Sequence, residues 1–319
     1  MSQACEVVVI GDLLLDILFY IDRRAKIDGL SHVISRAFIS PGGVGGNIST
    51  ALSRLGVKTC LVSAVGGDAI GRYLLEDLEN EGIDSRHVKI FRDKHSGVTV
   101  AFVEPDGSRT LFSYRGACEE RYADLDSLAE TLKGSKFLFI SGYLAHSPWG
   151  EEAMIGAAEL AYKLGVEVGV DLHEISGEKP GILEGLRGKV SYVFLNVEEL
   201  RGVSGERNLS KATKKLDEML KPRAIFVKRG EKGSTISYSD KLINIPAYRV
   251  KAIDTTGCGD AFDAGVIYGI IRQQSLEEAA RLGNMMGAYK ATGLGARHLP
   301  RGLEELNALL HKAGTPAKG

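Results

Sequence analysis

The stretch Asp254-Thr-Thr-Gly-Cys-Gly-Asp-Ala-Phe-Asp-Ala-Gly265 sets Gly257 and Gly259 directly before an apolar helical run. Glycines at such positions let main-chain amides approach a ligand closely. A helix starting just beyond them aims unpaired N–H groups and its dipole at an anion such as a phosphate. Asp260 falls in the first turn of that helix, beside the anion. A carboxylate there suits a general base that takes a proton from an attacking hydroxyl. The same residues also allow a plainer role, in which Asp254 and Asp260 only cap a helix.

Other stretches hold further candidates. Pro41-Gly-Gly-Val-Gly-Gly-Asn-Ile-Ser-Thr-Ala51 offers Gly42 and Gly43 for close backbone approach, and Asn47 can donate and accept hydrogen bonds to neighbouring hydroxyls at once. It could equally be a glycine-rich turn that opens a helix. It is no dinucleotide fingerprint, because the Gly-x-Gly-x-x-Gly register beginning at Gly43 meets Ile48. Asp12 and Asp16 interrupt the apolar run Val7 to Ile21 and flank the end of a first strand, either as ligand groups or as turn residues. The cost of carboxylates in an apolar run favours a function for Asp16. Arg115 ends a hairpin, where its guanidinium fork could reach a polar or anionic substrate group or simply guard an edge strand. Asn196 and Glu199 follow the carboxyl end of a strand, a place where a glutamate is also a common first-turn residue. The seven histidines show no ligand spacing, and His173 reads as a bystander.

The elements that must position these groups alternate. Strands are expected at Glu6–Ile10, Thr59–Val65, Lys136–Ser141, Glu167–Asp171, Ser191–Leu195 and Arg223–Lys228. Helices are expected at Gly46–Leu55, Gly71–Glu81, Glu151–Leu164, Leu209–Leu220, Gly259–Arg272 and Leu276–Ala291. That order predicts an α/β fold, a mostly parallel sheet covered on both faces, with ligands beyond the carboxyl ends of its strands. Ser96–Glu104 and Arg109–Tyr114 are strand-like and joined by the turn Pro105-Asp-Gly-Ser108, while Phe19 to Ser40 has no helical period. These two stretches, about 19–40 and 96–115, are expected to form a small discontinuous β lid on a single unit spanning 1–319. The tail Thr315-Pro-Ala-Lys-Gly319 is expected to fray.

Composition limits the partners. With 40 Lys+Arg against 41 Asp+Glu, the net charge of −1 lacks the cationic excess of a nucleic-acid binder, though a small anion would respond only to its local site. Asp12 and Asp16 keep the Val7 to Ile21 run from spanning a bilayer, and the N-terminus lacks a basic signal region. Cys5, Cys60, Cys118 and Cys258 are widely scattered with no Cys-x-x-Cys pair. They read as reduced thiols of a cytoplasmic protein without structural zinc.

Together the motifs resemble those of the PfkB (ribokinase-like) family of sugar and nucleoside kinases. The 254–265 stretch is similar to the family's C-terminal signature, with Cys258 where alanine is usual. The 41–51 stretch is similar to its Gly-Gly…Asn signature, Asn196-Val-Glu-Glu199 to its Asn-x-x-Glu motif, and Val227-Lys-Arg-Gly-Glu-Lys-Gly233 to its Gly-x-x-Gly turn. The resemblance implies a three-layer α/β/α kinase fold with a β lid, an ATP-dependent transfer to a hydroxyl of a small sugar or sugar derivative, and a homodimer formed through the lid. It implies Asp260 as general base and the amides of Gly257, Cys258 and Gly259 as an anion hole. It assigns Asp16, Gly42, Gly43, Asn47 and Arg115 to the acceptor, and Asn196, Lys228, Gly230, Gly233 and Asn284 to the nucleotide. Glu199 would hold Mg²⁺ through water, and Asp254 with Thr256 a monovalent cation such as K⁺, near Gly293-Leu-Gly-Ala296. The alternatives are a nucleoside kinase of the same fold, a non-catalytic kinase-like binding protein and, with little left to support it, a hydride-transferring oxidoreductase.

Overall fold

The computed structural model describes residues 4–21, 34, 36–104, 109–173, 175 and 180–313. The turn 105–108, residues 22–33 and 35 of the expected lid, and the tail 315–319 lie outside the described residues. In chain order the first strands are β1 (Val7–Ile10), β2 (Leu14–Tyr20), β3 (Arg36–Gly42), β4 (Thr59–Gly66), β5 (Val88–Phe91), β6 (Gly97–Val103) and β7 (Arg109–Tyr114). Then come β8 (Phe137–Ser141), β9 (Glu167–Asp171), β10 (Tyr192–Asn196), β11 (Ala224–Lys228), β12 (Ser234–Tyr238) and β13 (Lys241–Ile245). The helices are α1 (Val44–Arg54), α2 (Ala69–Asn80), α3 (Leu125–Leu132), α4 (Gly150–Lys163), α5 (Pro180–Leu186), α6 (Val197–Ser204), α7 (Leu209–Leu220), α8 (Cys258–Ile271), α9 (Leu276–Ala291) and α10 (Leu303–Ala313).

Nine strands form one sheet in the order β13-β12-β11-β10-β9-β8-β1-β4-β5. It is parallel from β11 to β5, and β12 alone runs against the other strands, pairing antiparallel with β11 and β13. The central strands are apolar on both faces because both faces are covered. Val8, Ile10, Val168, Val170, Val193 and Leu195 pack on one side with residues of α3 to α7. The alternate residues Val7, Val9, Phe137, Phe139, Phe194 and Phe226 pack on the other with α1, α2, α8, α9 and α10. Helix α8 is apolar nearly all round, as suits a helix enclosed by its neighbours.

A second, four-stranded sheet in the order β3-β2-β6-β7 forms the lid. Its start corrects the expected boundary. The lid was expected from about residue 19, but it begins at Leu14. The run Val7 to Ile21 breaks after Ile10, and β2 carries Leu14 onward into the lid, so Asp16 is a lid residue. The expected strand list also lacked β5, β12 and β13. These strands lie at or next to the sheet's edges and are short and partly exposed, so they carry no continuous apolar run.

The cysteine reading is corrected as well. Cys5 and Cys60 are joined by a disulfide, leaving Cys118 and Cys258 free among the described residues. Scatter along the chain concealed the pair, because parallel pairing of β1 with β4, Val7 opposite Thr59, brings positions 55 residues apart side by side. Among the described residues no helix is long and apolar enough to cross a membrane.

Candidate active site

Because the central strands are parallel, their carboxyl ends gather chemistry at one rim. Asp12 follows β1, Asp171 ends β9, Asn196 ends β10 and Lys228 ends β11. The N-termini of α1 and α8 and the underside of the lid complete the site.

Gly257 is the N-cap of α8 in the left-handed conformation, at φ 76°, where a side chain would also press on the backbone of Ala296. Asp260 lies in the first turn of the helix that follows. From α1, Asn47 donates its Nδ2–H to Asp260 Oδ2 at 2.7 Å, across 213 residues of chain. Asn47 is buried, and its Oδ1 has no hydrogen-bond partner among the described residues. That unsatisfied acceptor beside Asp260 is well placed for a ligand hydroxyl.

Asp16 approaches from the lid. Gly42, beside it on β3, leaves it room, since a Cβ there would lie 2.0 Å from Asp16 Oδ2. Burial pushes the Asp16 carboxyl up to about 7, Arg297 works against the rise, and the charges of Asp260 and Asp254 add to it. Arg297 is itself buried, bridged to Asp77, with Nε and Nη2 unpartnered among the described residues.

Beneath the anion hole sits Lys228. Its Nζ is 2.5 Å from Asp171 Oδ2 and 3.2 Å from Asp263 Oδ2, and it would lie 3.5 Å from a Cβ placed on Gly259. Burial alone would lower the lysine pKa, but Asp171 and Asp263 hold it well above the ordinary range. The two carboxyls also hydrogen-bond to each other. Burial would raise both, yet the Lys228 ammonium holds Asp171 well below the usual carboxylate range, while burial pushes Asp263 well above it. His173 stacks on Tyr143 with ring centroids 4.3 Å apart, and burial lowers its imidazole to about 4, so it is neutral.

Some residues have tasks that the sequence did not show. Arg115 forms a bidentate bridge to Asp12 at 2.9 Å on both nitrogens and donates to Ser147 Oγ at 3.0 Å, so its fork is engaged inside the protein. Asn196 and Glu199 form a capping box on α6: Asn196 Oδ1 accepts the amides of Glu198 and Glu199, and Glu199 Oε2 accepts the Asn196 amide at 2.6 Å. Glu199 remains close enough to Lys228 to raise it. Asn284 donates to the carbonyls of Ile245 and Pro246, both at 3.1 Å, which ties α9 to the end of β13. Gly230 and Gly233 bracket the tight turn between β11 and β12.

Asp171, Asp263, Lys290 and Arg297 belong to this region but were not singled out. Asp263 stood within the most informative motif, and Asp171 at a strand's carboxyl end, so both left a signal. Arg297 and Lys290 left none, because their importance depends on contacts with Asp77 and Asp254, 220 and 36 residues away.

A fold of this kind, a mostly parallel sheet covered by helices with a small β sheet over its strand ends, is that of a ribokinase-like small-molecule kinase. The sequence profile of the pfkB family carbohydrate kinases matches residues 5–301, and the chain belongs to that family. It is 28% identical over 294 residues to a nucleoside kinase of Methanothermobacter thermautotrophicus, covering 91% of this chain and 90% of that one. It is 26% identical over 315 residues to a deoxyribokinase of Salmonella typhi, covering 96% and 98%. Arabidopsis thaliana ribokinase complexed with ribose and ATP superposes with a TM-score of 0.80 at 22% identity, covering 96% of this chain and 99% of that one. The chain is a phosphotransferase acting on an alcohol group.

Proposed function

We propose that this enzyme transfers the γ-phosphoryl group of ATP to a hydroxyl of a small sugar or sugar derivative, with Asp260 taking the hydroxyl proton. The observation that carries the reading is the Asn47–Asp260 contact at 2.7 Å, at the mouth of the α8 N-terminus. Asn47 and Asp16 hold the acceptor's hydroxyls, and Asp260 receives the proton as the oxygen attacks phosphorus. The amides of Gly257, Cys258 and Gly259 stabilise charge on the transferring group, with Lys228 below them. Glu199, in the first turn of α6 and near Lys228, is the hard oxygen donor that would hold Mg²⁺, through water. When bound, Mg²⁺ neutralises polyphosphate charge.

The lid's inner surface supports a hydroxylated acceptor. Ser40, Asp16, Thr99 and Ser113 lie opposite one another across four strands, an unbroken polar row. The Arg115–Asp12 bridge removes the reason to favour an acidic sugar. A neutral sugar, or the ribose of a nucleoside, remains. On the outer surface Ile39, Ile17, Val100 and Phe112 form an apolar row, with Ile39 57% and Phe112 53% exposed, which supports pairing of lids in a homodimer.

The test is ADP release from ATP and Mg²⁺ across a panel of sugars and nucleosides, with Asp260→Asn alongside. Turnover should fall by roughly a thousandfold or more in the variant. Unchanged turnover would refute Asp260 as the base, and the absence of acceptor-dependent ADP release with every sugar and nucleoside of the panel would refute the acceptor class proposed here.

A further inference from the structure

Lys290 sits one residue before the end of α9, with its side chain fully enclosed. Its ammonium donates to the main-chain oxygen of Asp254 at 2.7 Å and to that of Gly293 at 3.1 Å, and it lies 3.9 Å from Asp254 Oδ2. Asp254 is held on the same spot by two amides, Thr256 N–H to Oδ1 and Gly295 N–H to Oδ2, each at 2.8 Å. The main chain is stitched as well, since Ile253 N–H donates to Ala291 O at 2.7 Å.

Two loops therefore converge on one positive charge. The first runs from Asp254 directly into Gly257 and the anion hole, and the second spans 292–296, where Ala296 abuts Gly257. The resemblance assigned this place, through Asp254 and Thr256, to a monovalent cation. The residues present do not fit such an ion, because a buried ammonium already takes the carbonyl oxygens that would coordinate it. A second cation among the same oxygens would face an unscreened like charge.

We propose that Lys290 is the enzyme's covalently attached monovalent cation, which sets the anion-hole loop and frees phosphoryl transfer from any need for K⁺ or Na⁺. This rests on the kinase reading for its catalytic half only. Lys290 is thus a positioning residue, acting on the transferring phosphoryl group through the Asp254–Gly257 backbone.

The experiment compares the wild type and Lys290→Ala in KCl, NH₄Cl and N-methyl-D-glucamine chloride at equal ionic strength. Thermal midpoints and ADP release are both read. The wild type should melt at the same temperature in all three salts and turn over at rates within about twofold of one another. In Lys290→Ala the vacated oxygens should accept a small cation. Its midpoint should be lowest in N-methyl-D-glucamine and rise in K⁺ or NH₄⁺, with ADP release recovering by roughly tenfold or more. K⁺-specific stabilisation or activation of the wild type would overturn the proposal, as would a folded Lys290→Ala with no ion-specific response. Should that variant fail to fold, the wild-type comparison decides alone. The melting measurements need no acceptor, so they stand even if the kinase reading fails.

Discussion

In the mechanism proposed here, Asp16 and Asp260 both face the acceptor, and they differ in surroundings. Asp260 is steadied by the Asn47 amide. Asp16 is kept near its titration point, because burial pushes it up to about 7. Only its ionised form accepts two hydroxyl protons, so kcat/KM for the acceptor should rise with pH through about 7, and Asp16→Asn should remove that limb while lowering affinity. A pH profile of initial rates checks both. The same shift has a sign for stability. A folded-state pKa above the ordinary carboxylate value means the native protein binds this proton more tightly than the unfolded chain. The stabilisation is full below pH 4 and is lost as pH rises through 7. Asp16→Asn should therefore raise the melting temperature of the unliganded protein at pH 8 and much less at pH 5, an effect on the order of 4 kcal/mol at most. These roles were only partly legible. Asp260, Asn47 and Asp16 stood in recognisable strings, but the Lys228–Asp171–Asp263 cluster needs β11, β10 and β9 laid side by side, which no local spacing records.

Among the elements, the lid's attachment depends on a buried ion pair. Arg115, at the end of β7, and Asp12, at the end of β1, are 11% and 5% exposed and pair bidentately. Replacing Arg115 with alanine strands the Asp12 carboxylate away from water and should cost about 3–5 kcal/mol, read as a lowered urea midpoint. A loss below about 1 kcal/mol would mean that water reaches Asp12 easily. The outer lid face makes a second prediction. Phe112→Asp should convert a dimer to a monomer by light scattering without unfolding the main sheet, since Phe112 is on the exposed row. The sequence displayed the parallel core well, because strands buried on both faces read as unbroken apolar runs. It displayed the lid poorly. β2 continues the apolar run of β1 after a break at Gly11 to Leu13, and only the fold shows that the chain changes sheets there.

Across the whole molecule, near-neutral charge coexists with a site built for polyanions, because the positive potential comes from helix ends, amides and two buried lysines. The Cys5–Cys60 bond adds a covalent brace between β1 and β4 at the rim opposite the site. Thiol titration of the denatured, unreduced protein should find two reactive cysteines, Cys118 and Cys258, and reduction should lower stability by about 4 kcal/mol for a loop of 55 residues. Four titratable thiols would show the bond absent. The Asn47–Asp260 contact also has a consequence for synthesis. Its partners are separated by 213 residues, and the loops around Lys290 come later still. A ribosome-bound chain can thus lay down its first strands and the acceptor's asparagine long before any base exists to use them. On the proposed mechanism, phosphoryl transfer can begin only once the segment carrying Asp260 has been made and has folded against Asn47.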